Sequence, residues 1–65
     1  MWRVVHSEAY LPDPVVKKFD TLDDVKNYYQ SNSDLIDFYA RDLKVGESVE
    51  FDYDFYVSLT LQRLP

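Results

Sequence analysis

From Val49 to Leu61 every odd-numbered residue is apolar (Val49, Phe51, Tyr53, Phe55, Val57, Leu59, Leu61), and every even-numbered one except Tyr56 is polar. A strict period of two is the signature of a half-buried strand and is incompatible with a helix, whose apolar residues recur every three or four positions. A single strand of that length would exceed the usual ~3–10 residues. Two readings stay open, one long strand over 47–63 or a hairpin, and the hairpin is favoured. A three-residue loop at Asp52-Tyr53-Asp54 keeps Phe51 with Phe55 and Val49 with Val57 on one face. A two-residue loop there would pair Phe51 with Asp54 and mix the faces. No glycine supports this turn, although aspartate tolerates the left-handed conformation.

The rest of the chain completes the pattern. Residues 2–10 read as a strand with Trp2, Val4, His6 and Tyr10 on one face and Arg3, Val5, Ser7 and Ala9 on the other. Leu11-Pro-Asp-Pro14 breaks it, because proline fixes φ and removes a donor. Val15–Phe19 is a second strand, suited to an edge by the proline before it. Asp20 or Thr21 then starts a helix, with Thr21 and Asp24 in capping-box spacing and acids at the positive end of the dipole. Leu22, Val25 and Tyr29 share its apolar face, and Ser31-Asn-Ser33 ends it and caps a second helix. There Leu35, Ile36, Tyr39, Ala40 and Leu43 form one face, with Gly46 at the expected left-handed C-terminal position. The order ββααββ predicts a small α+β domain: an antiparallel sheet of about four strands with one or two helices on one face.

At 65 residues the chain is one domain (1–65), near the lower limit for unaided folding. It has no cysteine and one histidine, which excludes disulfides, thiolate zinc sites and multi-histidine metal sites. A dense core must compensate, and one Trp, six Tyr and four Phe can supply it. Dimerisation is the other remedy, and a homodimer is slightly favoured over a monomer. No apolar run approaches the ~20 residues of a membrane span, and the N-terminus lacks the apolar stretch of a signal peptide. The expectation is a cytoplasmic protein. A net charge of −5 argues against direct nucleic-acid binding, which depends on Lys and Arg.

Charge is unevenly spread. Ten of the twelve carboxylates lie between Asp20 and Asp54, against only Lys26, Arg41 and Lys44. The densest stretch contains Glu47, Glu50, Asp52 and Asp54. On a strand, Glu50, Asp52 and Asp54 would form one row spaced about 6.6–6.8 Å apart. Such a row can simply be a solvated face that blunts an edge strand. It can also meet a basic surface, imitating the regularly spaced phosphates of a nucleic acid. Asp20, Asp23, Asp24, Asp34 and Asp37 could extend it, although helix starts attract acids for local reasons. Tyr53 and Tyr56 are candidate anchors, since tyrosine suits interfaces with one dry and one wet end. Tyr56 is expected on the polar side of the last strand, in phase with the acids.

Nothing points to catalysis. His6 has no cysteine to activate, Gly46 is the only glycine, and no nucleophile or phosphate-loop motif is present. Acid pairs such as Asp52 with Asp54 lack the spacing of a calcium loop. So small a chain also has little room for a pocket of ~300–1,000 Å³. The expectation is no catalytic residue, no metal and no cofactor.

Two segments, Phe19-Asp-Thr-Leu-Asp-Asp-Val and Val45-Gly-Glu-Ser-Val-Glu-Phe running into Phe55-Tyr-Val-Ser-Leu-Thr-Leu-Gln-Arg-Leu, cover about half the chain. They resemble, in generic form, small reading-frame proteins of bacterial viruses. The resemblance implies a short, acidic, non-enzymatic inhibitor of a host protein and transfers no individual residue. The expected function is a protein–protein interaction module presenting Glu47, Glu50, Asp52 and Asp54 to a basic host surface, with Tyr53 or Tyr56 as anchor. The alternative is a structural homodimeric subunit whose acids serve only solubility.

Overall fold

The computed structural model describes all 65 residues. The chain runs β1 (Trp2–Glu8), β2 (Val15–Phe19), α1 (Leu22–Tyr28), a single 3-10 turn (Gln30–Asn32), α2 (Ser33–Ala40), β3 (Ser48–Asp54) and β4 (Val57–Arg63). The α+β class and the ββααββ order are those the sequence predicts. All strands are antiparallel neighbours in the order β2-β1-β4-β3, so the first and last strands pair at the centre and β2 and β3 are the edges.

Both helices lie on one face of the sheet. Trp2, Val4, Phe51, Leu59 and Leu61 from the strands meet Val25, Tyr29, Ile36 and Ala40 from the helical layer, and all nine are buried. Each fully buried aliphatic side chain among them contributes about 1.5–3 kcal/mol relative to exposure. α1 begins as the sequence suggests: the Thr21 side chain accepts a hydrogen bond from the Asp24 amide (3.1 Å), with Asp23 and Asp24 in the first turn.

Three local expectations are corrected. The hairpin forms, but its turn is Phe55-Tyr56, not Asp52-Tyr53-Asp54. Asp54 stands opposite Val57, Asp52 opposite Ser58 and Phe51 opposite Leu59. A β-bulge at Tyr53 inserts the extra residue, which lets a two-residue turn close while Phe51 stays on the core face. Second, Asn32 is the N-cap of α2 without a side-chain capping bond. Asn32 instead donates from Nδ2 to the Tyr53 carbonyl (3.3 Å), and Ser31 Oγ lies 2.8 Å from the Tyr53 hydroxyl. Ser31 and Asn32, between the helices, therefore anchor the bulge. Third, Gly46 has a positive φ of 93°, but α2 has ended at Ala40. Gly46 serves the turn into β3, where its amide donates to the Arg63 carbonyl (2.7 Å).

Candidate functional site

The end of the sheet that carries the β3–β4 turn forms an open groove of about 590 Å³, bordered by the end of β1 (residues 7–9) and by residues 52–58 of the hairpin. It is an open surface groove between strand ends and not an enclosed pocket, for which so small a chain is expected to have little room. Two elements hold it together. The Ala9 amide donates to the Tyr56 carbonyl (2.9 Å), extending the central ladder past β1, and the Tyr10 and Tyr56 rings meet edge-on at 5.2 Å. Phe55 packs edge-on against Tyr56 at 4.6 Å.

The aromatic rings at this end are unusually open: Phe55 is 80% exposed, Tyr10 79% and Tyr56 57%. Tyr56 also has a φ of 66°, in the left-handed region. A bulky residue there costs of order 1–3 kcal/mol, which glycine or asparagine would largely avoid. Alternation puts Tyr56 on the polar side of a strand. It sits instead in the turn, because the bulge moves the turn two residues along. Phe55 and Glu8, not singled out by sequence reasoning, border the same groove. Alternation could not flag Phe55, which fits the apolar phase and is lifted out of it only by the turn.

The six candidate residues do not act as one set. Asp52, Tyr53, Asp54 and Tyr56 border the groove, whereas Glu47 and Glu50 do not. Glu47 is engaged locally: its Oε1 accepts from the Lys44 amide at 2.8 Å. The three-carboxylate row is broken by the bulge. Glu50 and Asp52 remain in phase on the uncovered sheet face, but Asp54 lies opposite Val57, in phase with the covered face, and its Oδ1 accepts from the Phe55 amide (2.7 Å). Tyr53 is not an exposed anchor. It is half-buried, its hydroxyl donates to the Tyr29 carbonyl (3.4 Å), and its ring packs edge-on against Tyr29. Nor do the helix carboxylates extend the row. Asp23 and Asp37 pair with Lys26, and Asp37 also with Arg41, on the layer covering the opposite face.

Glu50, Asp52 and Asp54 take part in none of the four ion pairs, which involve Glu8, Asp23 and Asp37. Arg41 is held by Asp37, and Arg63 donates to the Leu43 carbonyl and lies over the Trp2 ring. The β3 acids are therefore not neutralised by the nearby cations. His6 is held between the Glu8 carboxylate (2.9 Å) and the Tyr29 ring (6.1 Å between centroids). No group of three or more His, Asp or Glu residues is arranged to hold a metal ion. No helix is long and apolar enough to cross a membrane.

Comparison of the chain with protein-family models, with curated proteins and with solved structures finds no match.

Proposed function

We propose that this protein is a small acidic interaction module that binds a basic surface of a partner protein through the hairpin end of its sheet. The observation that carries the reading is the coincidence, around one groove, of unpaired Asp52 and Asp54 with the exposed rings of Phe55 and Tyr56. Carboxylates steer a basic partner and make association salt-sensitive, while buried aromatic rings set the off-rate. An arginine or lysine of the partner entering the groove would meet carboxylates and ring faces together, a pairing that favours cations. The strained Tyr56 backbone supports the reading, since such strain clusters at binding sites. The partner we infer is a nucleic-acid-handling or defence protein of a bacterial host, met through its basic patch by Asp52 and Asp54 and not by a regular phosphate-like row, which the bulge interrupts.

The test is capture from bacterial lysate on the tagged protein, eluted between roughly 0.1 and 0.5 M salt, where screening shortens the electrostatic range. Basic nucleic-acid-binding proteins should be released in that window, and duplex DNA should compete for them. Asp52→Asn/Asp54→Asn should weaken capture by at least tenfold, as should Phe55→Ala/Tyr56→Asn. Capture that survives both double substitutions would overturn the reading.

A further inference from the structure

The face of the sheet turned away from the helices has a charge pattern of which the groove uses only Asp52. Arg3 on β1 and Lys18 on β2 are cross-strand neighbours, and Glu50 and Asp52 occupy the opposite edge on β3. Between them lie Val5, Ser58 and Thr60, small side chains that leave the middle flat. Two cations and two anions make this face neutral in a chain of net charge −5, yet the signs are sorted by strand. β2 and β3 are separated by three strand spacings, or ~14 Å, so Lys18 cannot reach Glu50 within one molecule. None of the four side chains takes part in an ion pair. Arg3 donates to Gln62 (3.2 Å) and Thr60 to Glu50 (3.4 Å), which holds the guanidinium and the carboxylate against the sheet.

We propose that this uncovered face docks a second copy of the same chain, the two sheets stacked about a two-fold axis parallel to the strands. That rotation lays β3 of each copy against β2 of the other. The register sets Lys18 of each molecule level with Ser48 of its mate, one same-face step of about 6.6–6.8 Å from Glu50, so Lys18 meets Glu50 diagonally and the match occurs twice. Turning the copy about an axis across the strands stacks β3 on β3 and sets acid against acid. Edge-to-edge pairing of two β3 strands does the same. Only the first arrangement brings Lys18 within reach of Glu50, with Asp52 left outside the match, and it is the isologous contact of a closed dimer. Packed sheets stand ~10 Å apart with strands nearly aligned, a gap that a lysine and a glutamate bridge together. From strand spacing and rise the face measures roughly 19 by 20 Å, about half the ~800 Å² per partner of a standard interface. The dimer is accordingly weak, and high salt dissociates it.

The proposal does not rest on the groove reading, because Lys18 and Glu50 lie outside the groove. Sedimentation velocity over a concentration series, at low and at high salt, tests it with Lys18→Glu, Glu50→Lys and the double exchange. Each single reversal should raise the dimer dissociation constant at least tenfold. The double exchange, which restores opposite signs across the interface, should recover most of the loss. Monomer at every concentration, or a dimer indifferent to the single reversals, would overturn the proposal. Amide chemical shifts read against concentration give a second measurement. Shifts that follow dilution should map to Arg3, Val5, Lys18, Glu50 and Thr60, and shifts confined to the helical layer would overturn the face assignment. Lysate capture by Lys18→Glu separates the two ideas: loss of the dimer with capture intact leaves the groove reading standing.

Discussion

Tyr29 is the residue at which packing and polarity conflict most. Its ring is buried against His6, Tyr28 and Tyr53, yet its hydroxyl is buried without a hydrogen-bond partner. Burial, assisted by the neighbouring Tyr28 and Tyr53, pushes its pKa up to about 12 from 10.0. Unfolded chains lose the phenolic proton first, so stability should be intact below pH ~10 and fall as the pH rises towards 12. Tyr29→Phe should remove the fall attributable to this group, and at neutral pH should gain about 1 kcal/mol by deleting the orphan hydroxyl. Chemical denaturation of both proteins at pH 7 and pH 11 checks both points. Gly46→Ala isolates a different effect. A Cβ there would meet nothing within 4 Å, so the expected loss of about 1 kcal/mol comes from the positive φ alone. The sequence marks Gly46 as special but not its purpose, since a positive φ serves a helix end and a strand entry equally.

At the scale of elements, alternation and capping carried most of the information. The bounds of β2, the Thr21 cap and the hairpin itself are legible because each depends on residues adjacent in sequence. The bulge at Tyr53 is not, because it is stabilised from outside the hairpin. Ser31 and Asn32, more than twenty residues earlier, bond the Tyr53 side chain and backbone. A period-of-two pattern places Tyr53 correctly on the apolar face but cannot show the inserted residue, and so it misplaces the turn, Asp54 and Tyr56 together. Tyr53→Phe should therefore cost about 1 kcal/mol. Adding Ser31→Ala should cost little more, because both changes break the same bond; a double-mutant cycle in urea measures this coupling. Leu59→Ala, at the fully buried centre of β4, should cost about 2–5 kcal/mol in the same assay.

For the whole molecule, the eleven aromatics are expected to supply a dense core, but the core that packs the helices onto one face of the sheet is mostly aliphatic: only Trp2, Tyr29 and Phe51 are buried in it, and six other aromatic rings are exposed. The sorting of charge on the other face could not be read from the chain, because Lys18 and Glu50 become comparable only once strand order is known. That order has a further consequence. The two central strands are β1 and β4, paired from Trp2–Arg63 to Glu8–Val57, and the Leu64 amide donates to the Met1 carbonyl (2.8 Å). A permutant that joins the ends through a short linker and opens between Pro12 and Pro14 should keep the fold, as circular dichroism and thermal unfolding would show. In the natural order the ladder at the heart of the sheet closes only between the outermost segments, the longest loop this chain can form. During synthesis β1 therefore meets β2 first, and β4, its other neighbour at the centre of the sheet, emerges only after the helices and β3. Folding is accordingly expected to wait for β4: a chain ending at Asp54 should show no cooperative unfolding by circular dichroism.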